Sequence, residues 1–124
     1  MLKCLIAAFG ICVLPVFALA QDIRIEVVGV TEDAHLFRDN DAILIGRDET
    51  NHIRLKERFV SRSHAKITCF KIDCLLTDLR STNGTTLNGE SVQYGRNAVL
   101  GNGDVIGIGN YQLIFFSRQA KEKK

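Results

Sequence analysis

From residue 21 onward the chain is written in short runs of alternating apolar and polar residues. Ile23-Arg24-Ile25-Glu26-Val27 has the two-residue period of a strand with one buried face. Gly29 and the polar run Thr31-Glu32-Asp33 end it, and Asp39-Asn40-Asp41 reads as a turn. Ala42-Ile43-Leu44-Ile45 is a continuous apolar run, expected as a short strand buried on both faces or nearly so, with Gly46-Arg47 at its end. Residues 48–52 are polar and predict a loop, and Ile53 and Leu55 around Arg54 predict a further short strand. From His64 to Phe70 the alternation returns, with Ala65, Ile67 and Cys69 on one face. Cys74-Leu75-Leu76-Thr77-Asp78 follows so soon that a hairpin is expected. If Cys69 faces Cys74, Ile67 faces Leu76, and the two strands share one apolar face.

The rest of the chain repeats this economy. Asn83-Gly84 and Asn88-Gly89 predict turns, because the pair readily supplies positive φ. Thr85-Thr86-Leu87 and Val99-Leu100 predict short strands, and Val105-Ile106 with residues 111–116 predicts a closing hairpin. After Ala20 no stretch carries a helical period. Many short strands between Gly, Asn and Asp turns predict an all-β, two-sheet antiparallel β-sandwich.

The first twenty residues differ. Lys3 is followed by an uncharged, almost wholly apolar run from Cys4 to Ala20, then by polar Gln21-Asp22. With small residues at Ala18 and Ala20, the pattern predicts a signal peptide over residues 1–20, cleaved after Ala20. The expected location is therefore periplasmic or secreted, with no membrane association after cleavage. The rival reading is an uncleaved anchor, since ~20 residues of helix just span the hydrocarbon core. Cys4 and Cys12 would leave with the signal, and Cys69 and Cys74 would remain. An even pair in an exported domain invites a disulfide, with two buried thiols as the alternative.

Composition narrows the function. A chain of 124 residues with 46% apolar and 24% charged residues fits one globular domain. A net charge of +2 without a basic cluster argues against nucleic-acid binding. Residues 118–124 read as a solvated basic tail. Ser61 and Ser63 near His64 make no catalytic set by adjacency, since a base must be placed by a third group. Two cysteines and a nearby histidine are too few, and wrongly spaced, for structural zinc. Gly107 and Gly109 precede no helix and form no dinucleotide loop. The chain reads as a non-enzyme without cofactor or metal.

Three short stretches remain: Gly46-Arg47, Ser61-Arg62-Ser63-His64 and Ser81-Thr82-Asn83-Gly84-Thr85. In this order and spacing, with the tail from Gly103 to Gly109 and Leu113-Ile114-Phe115, they resemble a forkhead-associated (FHA) domain, of the FHA/SMAD-like sandwich class. The resemblance runs from about Ile23 to Phe116, within a domain expected over residues 21–117. It implies a module that binds phosphothreonine in a partner protein, with the three stretches gathered at one end of the sandwich. Position by position, it implies phosphate contacts from Arg47 and Ser61 and a second donor from Arg62. It implies that Thr82 lines the phosphothreonine site and Asn83 holds the peptide main chain, while Gly46, His64 and Gly84 are structural. Phosphate suits guanidinium forks and hydroxyls because a phosphothreonine carries about −1.5 to −2 charge and three acceptor oxygens. Export and phosphothreonine pull apart, since the modification is made where ATP is. A partner phosphorylated before export, or an exported phosphate-independent interaction through the same loops, would each reconcile them.

Overall fold

The computed structural model describes residues 23–29, 34–37, 42–70 and 73–117, together with two short strands further upstream. Those two, β1 (Leu5–Ile6) and β2 (Cys12–Val13), pair with each other in an antiparallel ladder. The expected signal segment, its cleavage point, the turn at residues 39–41 and the basic tail otherwise lie outside the described residues.

The alternating runs become strands. Ile23, Ile25 and Val27 of β3 (Ile23–Val27) are buried, while Arg24 is exposed. β4 (Ala34–Phe37) runs beside it, and then β5 (Ala42–Gly46) opens the second sheet. β6 (Ile53–Arg54), β7 (Ala65–Phe70), β8 (Asp73–Asp78), β9 (Thr85–Leu87), β10 (Glu90–Ser91), β11 (Ala98–Leu100), β12 (Asp104–Ile108) and β13 (Tyr111–Ser117) complete the order. One sheet is β10-β9-β12-β13-β3-β4 and the other β11-β8-β7-β5-β6. Among the described residues there is no helix.

The inward side chains of both sheets form one apolar cluster. Ile25, Ile106, Leu113 and Phe115 from the first sheet join Ile43, Ile45, Ile67 and Leu76 from the second, all of them buried. The β7–β8 hairpin has the expected register, with Ile67 opposite Leu76 and Cys69 opposite Cys74. The two sulfurs are bonded, with Cα atoms 4.0 Å apart. The Asn88-Gly89 turn joins β9 to β10 with φ of 52° and 87°, left-handed values that suit this pair.

Three details depart from the sequence reading. The second sheet is mixed and not purely antiparallel: β6 pairs parallel to β5, Ile45 beside Ile53 and Gly46 beside Arg54. A parallel neighbour ordinarily needs a long crossover. Here the bridge is two residues long, and burial of Ile53 and Leu55 in the core pulls the loop back against β5. The run Ala42–Ile45 is not buried on both faces: Ile43 and Ile45 are inside, Leu44 is half-buried and Ala42 exposed. Finally, β4 and β10 had no signal in the pattern. Both are sheet edges with little or no burial, so neither imposes a strict alternation on the sequence.

Candidate functional site

Gly46 ends β5 where the chain must pass the 61–64 turn at close range. A Cβ on Gly46 would lie 2.2 Å from the Arg62 carbonyl oxygen and 2.9 Å from Asn51 Nδ2, so no side chain fits there. The backbone then zips the two segments together. The Arg47 N–H donates to the Ser61 carbonyl at 3.0 Å, and the Asp48 N–H to the Arg62 carbonyl at 3.2 Å. Asn51 Nδ2 donates to the Arg62 and Asp48 carbonyls at 2.7 and 2.8 Å, tying the same pair of loops from the side.

His64 is fully buried at the base of the turn. Its Nδ1 accepts the Ser61 N–H at 3.0 Å. That bond puts the ring hydrogen on Nε2, which donates to the Gly84 carbonyl at 2.9 Å. Its backbone continues the brace, the His64 N–H donating to the Ile45 carbonyl and the Leu79 N–H to the His64 carbonyl. The imidazole thus couples the second and third stretches of the sequence motif, and the His64 backbone ties them to the end of β5, next to Gly46.

The third loop is set from below by Asp78, a buried carboxylate at the end of β8. It accepts the Ser81 N–H at 3.2 Å, the Ser81 hydroxyl, and the Thr85 hydroxyl at 2.8 Å. From above, the Thr82 N–H donates to Ser61 Oγ at 3.0 Å, and Asn83 Nδ2 donates to the Phe59 carbonyl at 2.8 Å. The Ser61 hydroxyl accepts a backbone N–H and keeps its own hydrogen to give. Asn83 keeps its Oδ1 and a second amide hydrogen.

Arg47, Ser61, Arg62, Thr82, Asn83, Gly46, His64 and Gly84 therefore belong to one loop cluster, as the hydrogen bonds above connect them. Arg62, Thr82 and Asn83 are exposed, and Arg47 and Ser61 are half-buried. Arg47 Nε is shielded from water and has no hydrogen-bond partner among the described residues. Arg47 and Arg62 face an open concavity of about 460 Å³, which is also lined by Asp48, Arg54 and Lys56. Cys69 and Cys74 lie on a different part of the sheet, in the core.

Sequence reasoning missed Asn51 and Asp78, which position the loops, and Arg54 and Lys56, which charge the concavity. Asn51 sat in a polar run that reads as ordinary loop, and Asp78 ended a strand like any exposed acid. The available signal for the basic pair was the alternation Ile53-Arg54-Leu55-Lys56, which sends both cations outward.

The cluster has counterparts in known proteins. The sequence profile of the FHA domain matches residues 43–109, the span that contains every residue of the loop cluster. FHA domain-containing protein FhaA of Mycobacterium tuberculosis is 42% identical over 71 residues, covering 57% of this chain and 13% of FhaA. Glycogen accumulation regulator GarA of Mycolicibacterium smegmatis is 33% identical over 89 residues, covering 72% of this chain and 54% of GarA. The chain thus spans a small part of the first relative and about half of the second. A solved structure from a structural and functional analysis of phosphothreonine-dependent FHA domain interactions is also similar. It superposes with a TM-score of 0.71 at 32% identity, over 78% of this chain and 97% of that one. With the matched span, the two-sheet sandwich and the loop cluster built around one buried histidine, the chain belongs to the FHA domain family.

Proposed function

We propose that this chain is a phosphopeptide-binding module that recognises phosphothreonine in a partner protein and so mediates protein–protein interaction. The observation that carries the reading is the unpartnered, shielded Nε of Arg47 at the edge of a basic concavity, next to a serine hydroxyl with a hydrogen to give. A guanidinium in that state gains most from an acceptor that is doubly charged and matches its fork. Arg47, Ser61 and Arg62 would take the phosphate oxygens. Thr82 would line the phosphothreonine, and Asn83 would hold the peptide main chain through the amide groups left free by Phe59. Gly46, His64 and Gly84 keep these groups in place without touching the ligand. The similarity to a structure described as phosphothreonine-dependent supports the same reading.

The apolar run before Gln21 supports export of a domain over residues 21–117, with the partner phosphorylated before it arrives. It equally motivates the second reading, an exported module that uses these loops on an unphosphorylated partner. Fluorescence anisotropy with library-selected peptides, each with and without its phosphate, separates the two. We expect binding only to the phosphorylated form, weakened by about 1.5–3 kcal/mol for each hydrogen bond lost in Arg47→Ala. Equal affinity for both forms, unchanged by Arg47→Ala, would leave the fold standing and replace the phosphate reading by the second one. An intact mass of the protein from its native host, beginning at Met1, would discard the cleaved signal.

A further inference from the structure

Among the described residues, the concavity beside the proposed phosphate site is lined by four cations, Arg47, Arg54, Lys56 and Arg62, and by a single carboxylate, Asp48. Among the described residues none of the four is in an ion pair. The surplus is three positive charges, and one phosphothreonine brings about two at most. Cations gathered in a concave surface repel one another and focus potential on whatever anion enters. The volume of about 460 Å³ is in the range of sites for drug-sized ligands and exceeds what a lone phosphoryl group needs.

Arg54 and Lys56 are not there by accident of a floppy loop. Ile53 and Leu55 are buried in the core, so the two-residue period directs Arg54 and Lys56 to the same outer face. The parallel bridge sets Arg54 beside Gly46, and Arg54 Nε donates to the Arg47 carbonyl at 3.0 Å. The pair is therefore fixed next to Arg47, on a side of the site that Thr82 and Asn83 do not line.

We infer that the peptide this chain recognises carries a second anionic group, which seats against Arg54 and Lys56 while the phosphothreonine occupies Arg47, Ser61 and Arg62. The inference rests on the phosphothreonine reading and deepens it to a peptide class: phosphothreonine flanked on one side by a carboxylate or by another phosphate. Thr82 and Asn83 do not line this concavity, so the second anion is expected on the flank away from them.

The test uses the full chain and a phosphothreonine peptide in an Ala/Gly background. One flanking position at a time is made Ala, Lys, Glu or phosphothreonine, and each peptide has a twin without the central phosphate. At one or two positions on one flank, Glu should tighten binding about fivefold over Ala, and Lys should weaken it. The comparison is the Glu-to-Ala ratio within each protein, so a general loss of affinity in a variant does not count. In Arg54→Gln/Lys56→Gln that ratio should collapse toward one. A greater gain from the second phosphothreonine than from Glu identifies a doubly phosphorylated peptide; a greater gain from Glu identifies an acidic flank. A ratio near one at every position, or one unchanged in the double variant, overturns the inference and leaves phosphothreonine recognition intact. Equal binding of the peptides and their unphosphorylated twins overturns both.

Discussion

The β7–β8 hairpin and the loop cluster meet at Ala65 but are held by opposite means. In the hairpin, Ile67, Leu76, Cys69 and Cys74 turn one continuous apolar face inward, and the backbone ladder satisfies its own polar groups. One residue earlier the stabilising groups are polar and buried: His64, with Asp78 opposite Ala65 at the end of the partner strand. Apolar contacts are non-directional and tolerate a change of shape. Hydrogen bonds to loop carbonyls and N–H groups set position within a few tenths of an ångström, and an unmade one leaves a buried group unsatisfied. The sandwich body therefore supplies stability, and the polar pins supply geometry where geometry is needed.

The strongest way to break this division is Ile67→Ala. A truncated side chain in the fully buried hairpin face should cost about 3–4 kcal/mol in urea unfolding, with phosphopeptide affinity per folded molecule unchanged. A parallel loss of affinity would show that body and site are not separable. His64→Ala should cost about 3 kcal/mol, because the Ser61 N–H and the Gly84 carbonyl both lose their partner. Unlike Ile67→Ala, it should also weaken binding in conditions where the chain is fully folded. A variant with full affinity would remove the histidine from the positioning of the loops.

Arg47→Lys sharpens the comparison from the other side. The charge is kept and the fork is lost, so binding should fall by about 2–3 kcal/mol, with the urea midpoint unmoved. A shifted midpoint would mean that the Arg47 side chain supports the fold. The smallest effect concerns the hairpin staple. Cys69→Ala/Cys74→Ala should lower the stability of the oxidised chain by about 2 kcal/mol, since the loop closed is short, and should leave peptide affinity alone. Two freely alkylated cysteines in the native protein would show that the bond does not form there, and the double variant would then cost only its lost packing.

The strands and the hairpin register were legible because burial on one face writes a two-residue period into the chain. Ile23-Arg24-Ile25 and Ala65-Lys66-Ile67 state their inward face directly, and Cys69 against Cys74 follows once Ile67 must meet Leu76. The three loops of the cluster were legible as turns, since Gly and Asn suit tight turns, and their order and spacing resemble the FHA family. Where a side chain is half-exposed, as in Ala34–Phe37, or a strand is two residues long, as in Glu90–Ser91, burial imposes too little to be read. The roles of Asn51 and Asp78 were hidden for a different reason. Asn51 acts on a backbone group made near only by the fold, the Arg62 carbonyl eleven positions away, while Asp78 is buried by the fold and so holds Ser81 and Thr85 where an exposed acid would hold water. The basic concavity belongs to the same class. Local alternation turns Arg54 and Lys56 outward, but only the parallel bridge of β6 to β5 sets them beside Arg47 and Arg62, because that pairing is decided by the core burying Ile53 and Leu55 and not by the charges themselves.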